Sequence, residues 1–231
     1  MCFSATASFG AGAVLAAVGI IAEVKAKTNP QRIFATIPLI FAVQQLTEGV
    51  LWLSLRNPDL ASWKPLLTYI YLVFAMAIWP FWVPLTIRLL ENDARRKKII
   101  NVLLATGTAV TITVVFVLSL YPVEVMTPLC LTCPVSSVPD VRNHLHYEFA
   151  FPPVAKSLIT FFTVLYIMAT IVTAFVSSIK KMKWLGIVFL VSYLFAVIFY
   201  NDFVVSVWCF FAALLSFVVL WIIVDLRKPA C

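Results

Sequence analysis

The sequence contains seven apolar segments in succession, each close to the roughly 20 residues that a helix needs to cross a lipid bilayer. The segments are Phe3–Glu23, Ile33–Leu55, Leu66–Leu89, Ile99–Tyr121, Val154–Ser178, Trp184–Tyr200 and Phe203–Val224. Asn201 and Asp202 are the only polar break between the last two. Because unpaired backbone amides are costly in hydrocarbon, segments of this length and composition favour helices. The sequence therefore predicts an all-α integral membrane bundle of seven transmembrane helices.

The composition also indicates that lipid surrounds most of this chain. Hydrophobic residues make up 63% of the 231 residues and charged residues 12%, and the mean hydropathy is +1.02. A soluble protein is about half apolar and about a quarter charged. The length suits a single seven-helix domain over residues 1–231. The net charge of +7 does not indicate nucleic acid, because the basic residues stand at the ends of the apolar segments. We expect the lipid bilayer, and no nucleic acid, as partner.

The Lys and Arg residues predict the orientation. Most of the 17 fall in alternate loops and in the C-terminal tail, and the densest group is Arg95–Lys98. The opposite loops hold only Arg56, Lys64, Arg142 and Lys156. Basic loops stay in the cytoplasm according to the positive-inside rule. We therefore expect the N-terminus outside the cytoplasm and the C-terminus inside it.

Glu48 is an ionisable residue in the middle of a predicted span. Such a residue costs ~2.5–3.5 kcal/mol on insertion scales and usually faces the bundle interior or water. Gln44, Glu48 and Trp52 are spaced four residues apart and so share one helix face, with Gln45 in the same turn. The pattern predicts a polar intramembrane cluster of Gln44, Gln45 and Glu48. This cluster is either a functional site or a structural knot of hydrogen bonds between helices.

Two of the five cysteines are predicted to approach this polar level. Cys209, in the seventh segment, is expected at about the depth of Glu48, ~10 Å below the outer boundary, and Cys2 lies at the outer face. Thiolate and imidazole ligands favour Cu or Zn over Mg or Ca. We therefore predict a soft-metal site formed by Cys2, Cys209, His144 and Glu48. In such a site the sulfurs of Cys2 and Cys209 would lie within about 5 Å of each other.

The longest predicted outer loop, at about 122–153, offers a second set of ligands. It contains Cys130 and Cys133 in a C-x-x-C pattern, followed by His144 and His146. Two thiols and two imidazoles are a ligand set suited to Zn or Cu. The same cysteines are equally compatible with a disulfide that staples the loop or with a redox pair.

Several motifs resemble those of a known family. They are Met1-Cys-Phe-Ser-Ala-Thr-Ala-Ser-Phe9, Gln44-Gln-Leu-Thr-Glu-Gly-Val-Leu-Trp52, Trp79-Pro-Phe-Trp-Val-Pro84 and Ser206-Val-Trp-Cys-Phe-Phe-Ala-Ala-Leu-Leu-Ser216. From the first span to the last, the chain resembles a family of bacterial polytopic membrane proteins known as a domain of unknown function. The resemblance implies that Cys2, Glu48 and Cys209 belong to the family pattern, with a His near 144. It also implies a bacterial cytoplasmic (inner) membrane, and it implies no activity.

Three functions follow from these patterns. The leading expectation is a Cu or Zn site, or a site of thiol chemistry, at the outer membrane face. The first alternative is a small-solute transporter or sensor with Glu48 in a polar intramembrane pathway. The second is a membrane thiol–disulfide oxidoreductase that uses Cys130 and Cys133. The ligand would be a metal or a small molecule, and the sequence does not decide whether the protein is an enzyme.

Overall fold

The protein is mostly helical. The computed structural model describes residues 4–126, 145–150, 155–200 and 203–226. Its helices are α1 (Ala5–Lys25), α2 (Asn29–Ala35), α3 (Ile37–Arg56), α4 (Lys64–Leu72), α5 (Trp79–Leu90), α6 (Ala94–Leu120), α7 (Ala155–Ile167), α8 (Thr173–Val176), α9 (Met182–Phe199), α10 (Val204–Ala213) and α11 (Leu215–Leu226). A 3₁₀ turn (Pro58–Trp63) precedes α4, and π-helical segments (Val73–Ile78, Met168–Val172) precede α5 and α8.

Six helical stretches are long and apolar enough to cross a membrane. They are Ala5–Lys25, Asn29–Arg56, Pro58–Leu90, Ala94–Leu120, Leu158–Val176 and Met182–Phe199, and they overlap the first six predicted segments. The seventh predicted segment is also helical, but a turn at Leu214 divides it into α10 and α11. Large apolar side chains remain exposed on the helix surfaces, as Val102 and Ile198 do, which is the pattern expected against lipid tails. The long apolar helices therefore identify a membrane protein.

Helices α1 and α3 pack closely because glycines on each accept large side chains from the other. A Cβ added at Gly19 of α1 would lie 2.4 Å from the Leu39 side chain, and one at Gly49 of α3 would lie 2.9 Å from the Phe9 ring. Small residues allow this approach, and close packing is what holds helices together where the surrounding solvent is itself apolar. The contact fixes the positions of the polar residues on α3 relative to α1.

Proline changes the hydrogen bonding where α4 continues into α5. Pro80 has no N–H and cannot donate to the carbonyl one turn earlier, so the helix widens in the π-helical segment before it. Side chains of neighbouring helices bond to carbonyls in that segment. Tyr166 Oη donates to the Ala75 carbonyl at 2.9 Å, and Thr111 Oγ1 donates to the Ala77 carbonyl at 2.6 Å. The π-helical segment is thereby joined to α6 and α7.

A buried carboxylate joins the loops at one end of the bundle. Glu91 accepts hydrogen bonds from the Ser178 N–H (2.6 Å), the Ser178 hydroxyl (2.5 Å) and the Ser177 hydroxyl (3.1 Å). Burial by itself would raise the pKa of Glu91, but these bonds, led by those from Ser178, outweigh it and lower the pKa to about 2. Nearby, Arg96 Nη1 donates to the carbonyls of Val176 (3.0 Å) and Ser177 (2.9 Å). The segment that ends α8 is therefore bound to the start of α6.

A short hairpin lies at the other end of the bundle. Strand β1 (Val123–Met126) pairs antiparallel with β2 (His146–Phe149), and Val125 lies opposite Tyr147. Val125 and Tyr147 are buried against helices α3 and α4. The described part of the predicted outer loop therefore contains a strand pair that covers the bundle.

The close approach at Gly107 of α6 gives a test of this packing. A Cβ at this position would lie 1.7 Å from the Pro80 carbonyl oxygen, and a backbone oxygen cannot move aside as a side chain can. We expect Gly107→Ala to destabilise the protein by about 2 kcal/mol, measured as a lower thermal unfolding midpoint in detergent. The matched control is Gly10→Ala on α1, where a Cβ meets nothing within 4 Å. Equal midpoints for the two variants would contradict the packing described here.

Candidate functional site

The carboxylate of Glu48 lies at the meeting point of α1, α3 and α10. Its side chain is fully buried. Oε1 accepts a hydrogen bond from Ser206 Oγ of α10 at 2.8 Å. Oε2 accepts from Gln45 Nε2 at 3.3 Å and from Ser8 Oγ of α1 at 3.5 Å. Donors from α1, from α10 and from the preceding turn of α3 therefore surround one intramembrane carboxylate.

Gln44 extends the polar layer towards α5. Its carbonyl oxygen accepts a hydrogen bond from Trp79 Nε1 at 3.2 Å, and the Trp79 ring stacks on Phe41 of α3 with a centroid distance of 3.9 Å. Gln44 and Trp79 are both buried. The indole N–H and the apolar stack together fix which way the Gln44 amide points.

Cys209 lies in the same region of the bundle as Glu48. It follows Ser206 by three residues on α10, so the two side chains lie on one helix face. Cys209 is buried and belongs to one packed cluster with Trp52 of α3 and Tyr71 of α4. The thiol and the carboxylate are therefore members of one buried cluster, which we call the Glu48–Cys209 cluster (Ser8, Gln44, Gln45, Glu48, Ser206 and Cys209).

Three buried polar atoms on α3 make no hydrogen bond within the described part of the chain. They are Gln44 Nε2, Gln45 Oε1 and Trp52 Nε1. Leaving such a group unsatisfied costs about 1–3 kcal/mol, and most buried polar atoms in native structures have a partner. Two of the three belong to the Glu48–Cys209 cluster. The cluster therefore has hydrogen-bonding capacity that its own described residues do not use.

The hairpin covers this cluster from one side. Tyr147 of β2 stacks on Tyr71 of α4 with a centroid distance of 5.3 Å and an interplanar angle of 6°. Tyr71, Tyr147 and Leu145 share an apolar cluster with Trp52 and Cys209. The stacked tyrosines therefore join the hairpin to the packed cluster that contains the Cys209 thiol.

Several predicted site residues lie outside the described residues. These are Cys2, Cys130, Cys133 and His144. The predicted approach of Cys2 to Cys209, the alternative four-ligand set and the possible disulfide therefore remain predictions. Among the described ranges, no group of three or more His, Cys, Asp or Glu residues is placed to hold a metal ion.

His146, the remaining member of the alternative metal set, lies in β2. Its ring contacts Phe203 edge-to-face at a centroid distance of 6.0 Å. Phe203 directly precedes α10, the helix that carries Cys209. The contact places His146 at the end of the bundle that the hairpin covers.

The structure also adds site residues that the sequence patterns did not single out. Ser8 and Ser206 donate to Glu48, and Tyr71 and Tyr147 form the cover. Serine and tyrosine carry no charge at neutral pH, so neither residue type stands out in the sequence as Glu48 does. The one available signal was spacing, since Ser206 precedes Cys209 by one helical turn.

The comparisons with known proteins identify a family and no activity. A family model described as a family of unknown function, DUF6629, matches residues 1–231. The chain belongs to that family. The match confirms the resemblance to an uncharacterised family. No curated protein and no solved structure matches the chain.

The cover predicts that Cys209 is protected from water-soluble thiol reagents. We expect Tyr147→Ala to increase the modification rate of Cys209 about tenfold, because losing the ring removes the stack and buried area that close the site. The measurement uses purified protein in which the other four cysteines are serine.

The control is Glu148→Ala, since Glu148 is exposed on the same strand. A rate that Tyr147→Ala leaves unchanged, or that both variants raise equally, would show that the tyrosine stack does not close the site.

Proposed function

We propose that this protein is a single bundle of seven transmembrane helices with its N-terminus outside and its C-terminus in the cytoplasm of a bacterial cell. The six long apolar helices support this proposal. So do α10 and α11, because residues 204–226 extend over about 34 Å when taken together, which is enough to cross a bilayer. The distribution of Lys and Arg supports the orientation. The turn at Leu214 is then a break inside the seventh span.

We further propose that the Glu48–Cys209 cluster binds a soft metal ion, Cu or Zn. The observation that carries this proposal is that Glu48 of α3 and Cys209 of α10 are both buried, and that Ser206, one helical turn before Cys209, donates a hydrogen bond to the Glu48 carboxylate. Buried ionisable residues in a span are functional by default. A thiolate ligand selects Cu or Zn.

The surroundings of the two groups are suited to holding a cation. Ser206, Gln45 and Ser8 donate to Glu48 and so fix the orientation of its carboxylate, as the residues behind metal ligands usually do. The unused carbonyl oxygen of Gln45 is a further neutral donor atom for a metal. Cys2 and His144 are the proposed remaining ligands, which would give a four-coordinate site.

A second function has an observation of its own. Gln44 Nε2 and Gln45 Oε1 are an unused donor and an unused acceptor in the same buried layer. Such a pair suits a small polar solute or a chain of water molecules better than it suits a metal alone. The alternative is thus a transporter or sensor with Glu48 in a polar pathway.

Single-cysteine variants test the topology. With seven spans and the N-terminus outside, an impermeant thiol reagent should label Cys133 in intact cells and label Cys231 only after lysis. If α10 and α11 do not cross the membrane, the C-terminus lies outside, and Cys231 reacts in intact cells. Each variant retains one cysteine, so each serves as the other's control for lysis. Labelling of Cys133 only after lysis would overturn the orientation.

Elemental analysis of purified protein tests the metal site. We expect about one equivalent of Cu or Zn in the wild type and loss of most of it in Glu48→Gln and in Cys209→Ser, because each change removes one charged ligand. The matched control is Glu23→Gln, the same exchange near the far end of α1. Gel filtration checks that the variants fold.

The outcomes separate the two functions. A wild type that binds neither Cu nor Zn under excess metal would overturn the metal proposal and leave the polar pathway. Metal that persists in both Glu48→Gln and Cys209→Ser would place it elsewhere, with the loop set of Cys130, Cys133, His144 and His146 as the next candidate.

A further inference from the structure

The end of the bundle opposite the hairpin presents positive charge at two neighbouring helix starts. Helix α6 begins at Ala94 and carries Arg95, Arg96, Lys97 and Lys98 in its first turns. Helix α9 begins at Met182, with Lys181 before it and Lys183 after it. Neither helix has an acidic residue in its first turn. The start of a helix is the positive end of its dipole, where anions are favoured and cations are not. This placement opposes local helix stability, and the carboxylate of Asp93, the N-cap residue of α6, offsets it in part.

The two helix starts are held side by side by the contacts of Glu91 and Arg96. Glu91 bonds to Ser177 and Ser178, and Arg96 bonds to the carbonyls of Val176 and Ser177. The turn from α8 to α9 is therefore fastened to the start of α6. The backbone segments that carry the cations are therefore joined before any partner binds, which lowers the ordering cost of binding.

The acidic side chains nearby are already engaged. Glu91 is buried among its serine donors, and Asp93 accepts from the Arg96 N–H at 2.9 Å. Asp225 pairs with Lys181 at 2.6 Å, the one ion pair within the described residues. What remains is a set of five cations without an acidic partner in the described part of the chain, which we call the basic ledge: Arg95, Lys97, Lys98, Lys180 and Lys183.

Apolar side chains begin directly beside the basic ledge. Ile99 follows Lys98 and is 52% exposed, and Trp184 follows Lys183 and is 53% exposed. Exposed cations next to exposed apolar surface match the two parts of a phospholipid, whose headgroup lies in water and whose chains lie in hydrocarbon. A soluble anion would use only the first of these surfaces.

We propose that the basic ledge binds the headgroups of anionic phospholipids, whose acyl chains lie along Ile99 and Trp184. Clusters of Lys and Arg next to a span attract anionic lipid, and the two helix starts add their dipoles to that attraction. The ledge is thus a lipid site at the end of the bundle opposite the hairpin, and it does not depend on the metal proposal.

The experiment measures lipid retained by detergent-purified protein in native mass spectrometry, together with the thermal midpoint. Phosphatidylglycerol and phosphatidylcholine serve as the anionic and zwitterionic probes. We expect the wild type to retain phosphatidylglycerol preferentially and to be stabilised by it. The variant Arg95→Gln/Lys97→Gln/Lys98→Gln should retain about fivefold less. Its midpoint without lipid, compared with that of the wild type, shows whether it folds.

The matched control removes three cations from another segment at the same end: Lys25→Gln/Lys27→Gln/Arg32→Gln. Retention should be unchanged in this variant. If both triple variants lost lipid retention equally, the lipid would be attracted by the positive charge of the whole surface, and the proposed site would be wrong. Glycerol phosphate, which has the headgroup chemistry without acyl chains, should not stabilise the protein. Stabilisation equal to that by phosphatidylglycerol would mean that the ledge binds a soluble phosphate, and no preference between the two lipids would overturn the proposal altogether.

Discussion

The contact between α1 and α3 is the interaction on which the described site depends. Glycines on both helices admit Leu39 and Phe9 from the opposite helix, and this brings Ser8 within reach of Glu48. Ser206 of α10 then donates to the other oxygen of the same carboxylate. A buried carboxylate in a low-dielectric interior is tolerated only where donors surround it. The same arrangement of helices thus provides both the close packing at the glycines and the hydrogen bonds that Glu48 accepts.

Different interactions hold the two ends of the bundle together. At one end, the Tyr71–Tyr147 stack closes an apolar layer over the Glu48–Cys209 cluster. At the other end, Glu91 and Arg96 fasten loops to each other with hydrogen bonds to serine and backbone groups. An apolar cover keeps water from a buried polar site, whereas the buried Glu91 carboxylate is satisfied by hydrogen bonds that join two loops. Apolar packing therefore closes the end of the bundle near the Glu48–Cys209 cluster, and hydrogen bonds hold the loops together at the other end.

Some features of the site followed from the sequence, and others did not. The four-residue spacing of Gln44 and Glu48 predicted one polar face, and both side chains are buried in one layer. The spacing could not supply the partners, because Ser8 and Trp79 come from helices whose neighbours are not encoded locally. The turn at Leu214 had no visible signal either, since no glycine or proline marks it. Residues such as Cys2 and His144 lie outside the described residues, so their place in the site remains a prediction.

The sequence by itself determined the class of protein: long apolar segments and clustered charges require helices in a membrane, because backbone groups must pair within each segment there. It also determined that one helix carries a carboxylate among amides. Only the tertiary structure decided which helices face that carboxylate, that Cys209 joins it, and that Tyr147 covers them. These outcomes depend on how side chains of distant segments fit together, and that fit is set by shape and packing between helices rather than by the hydropathy of any one of them.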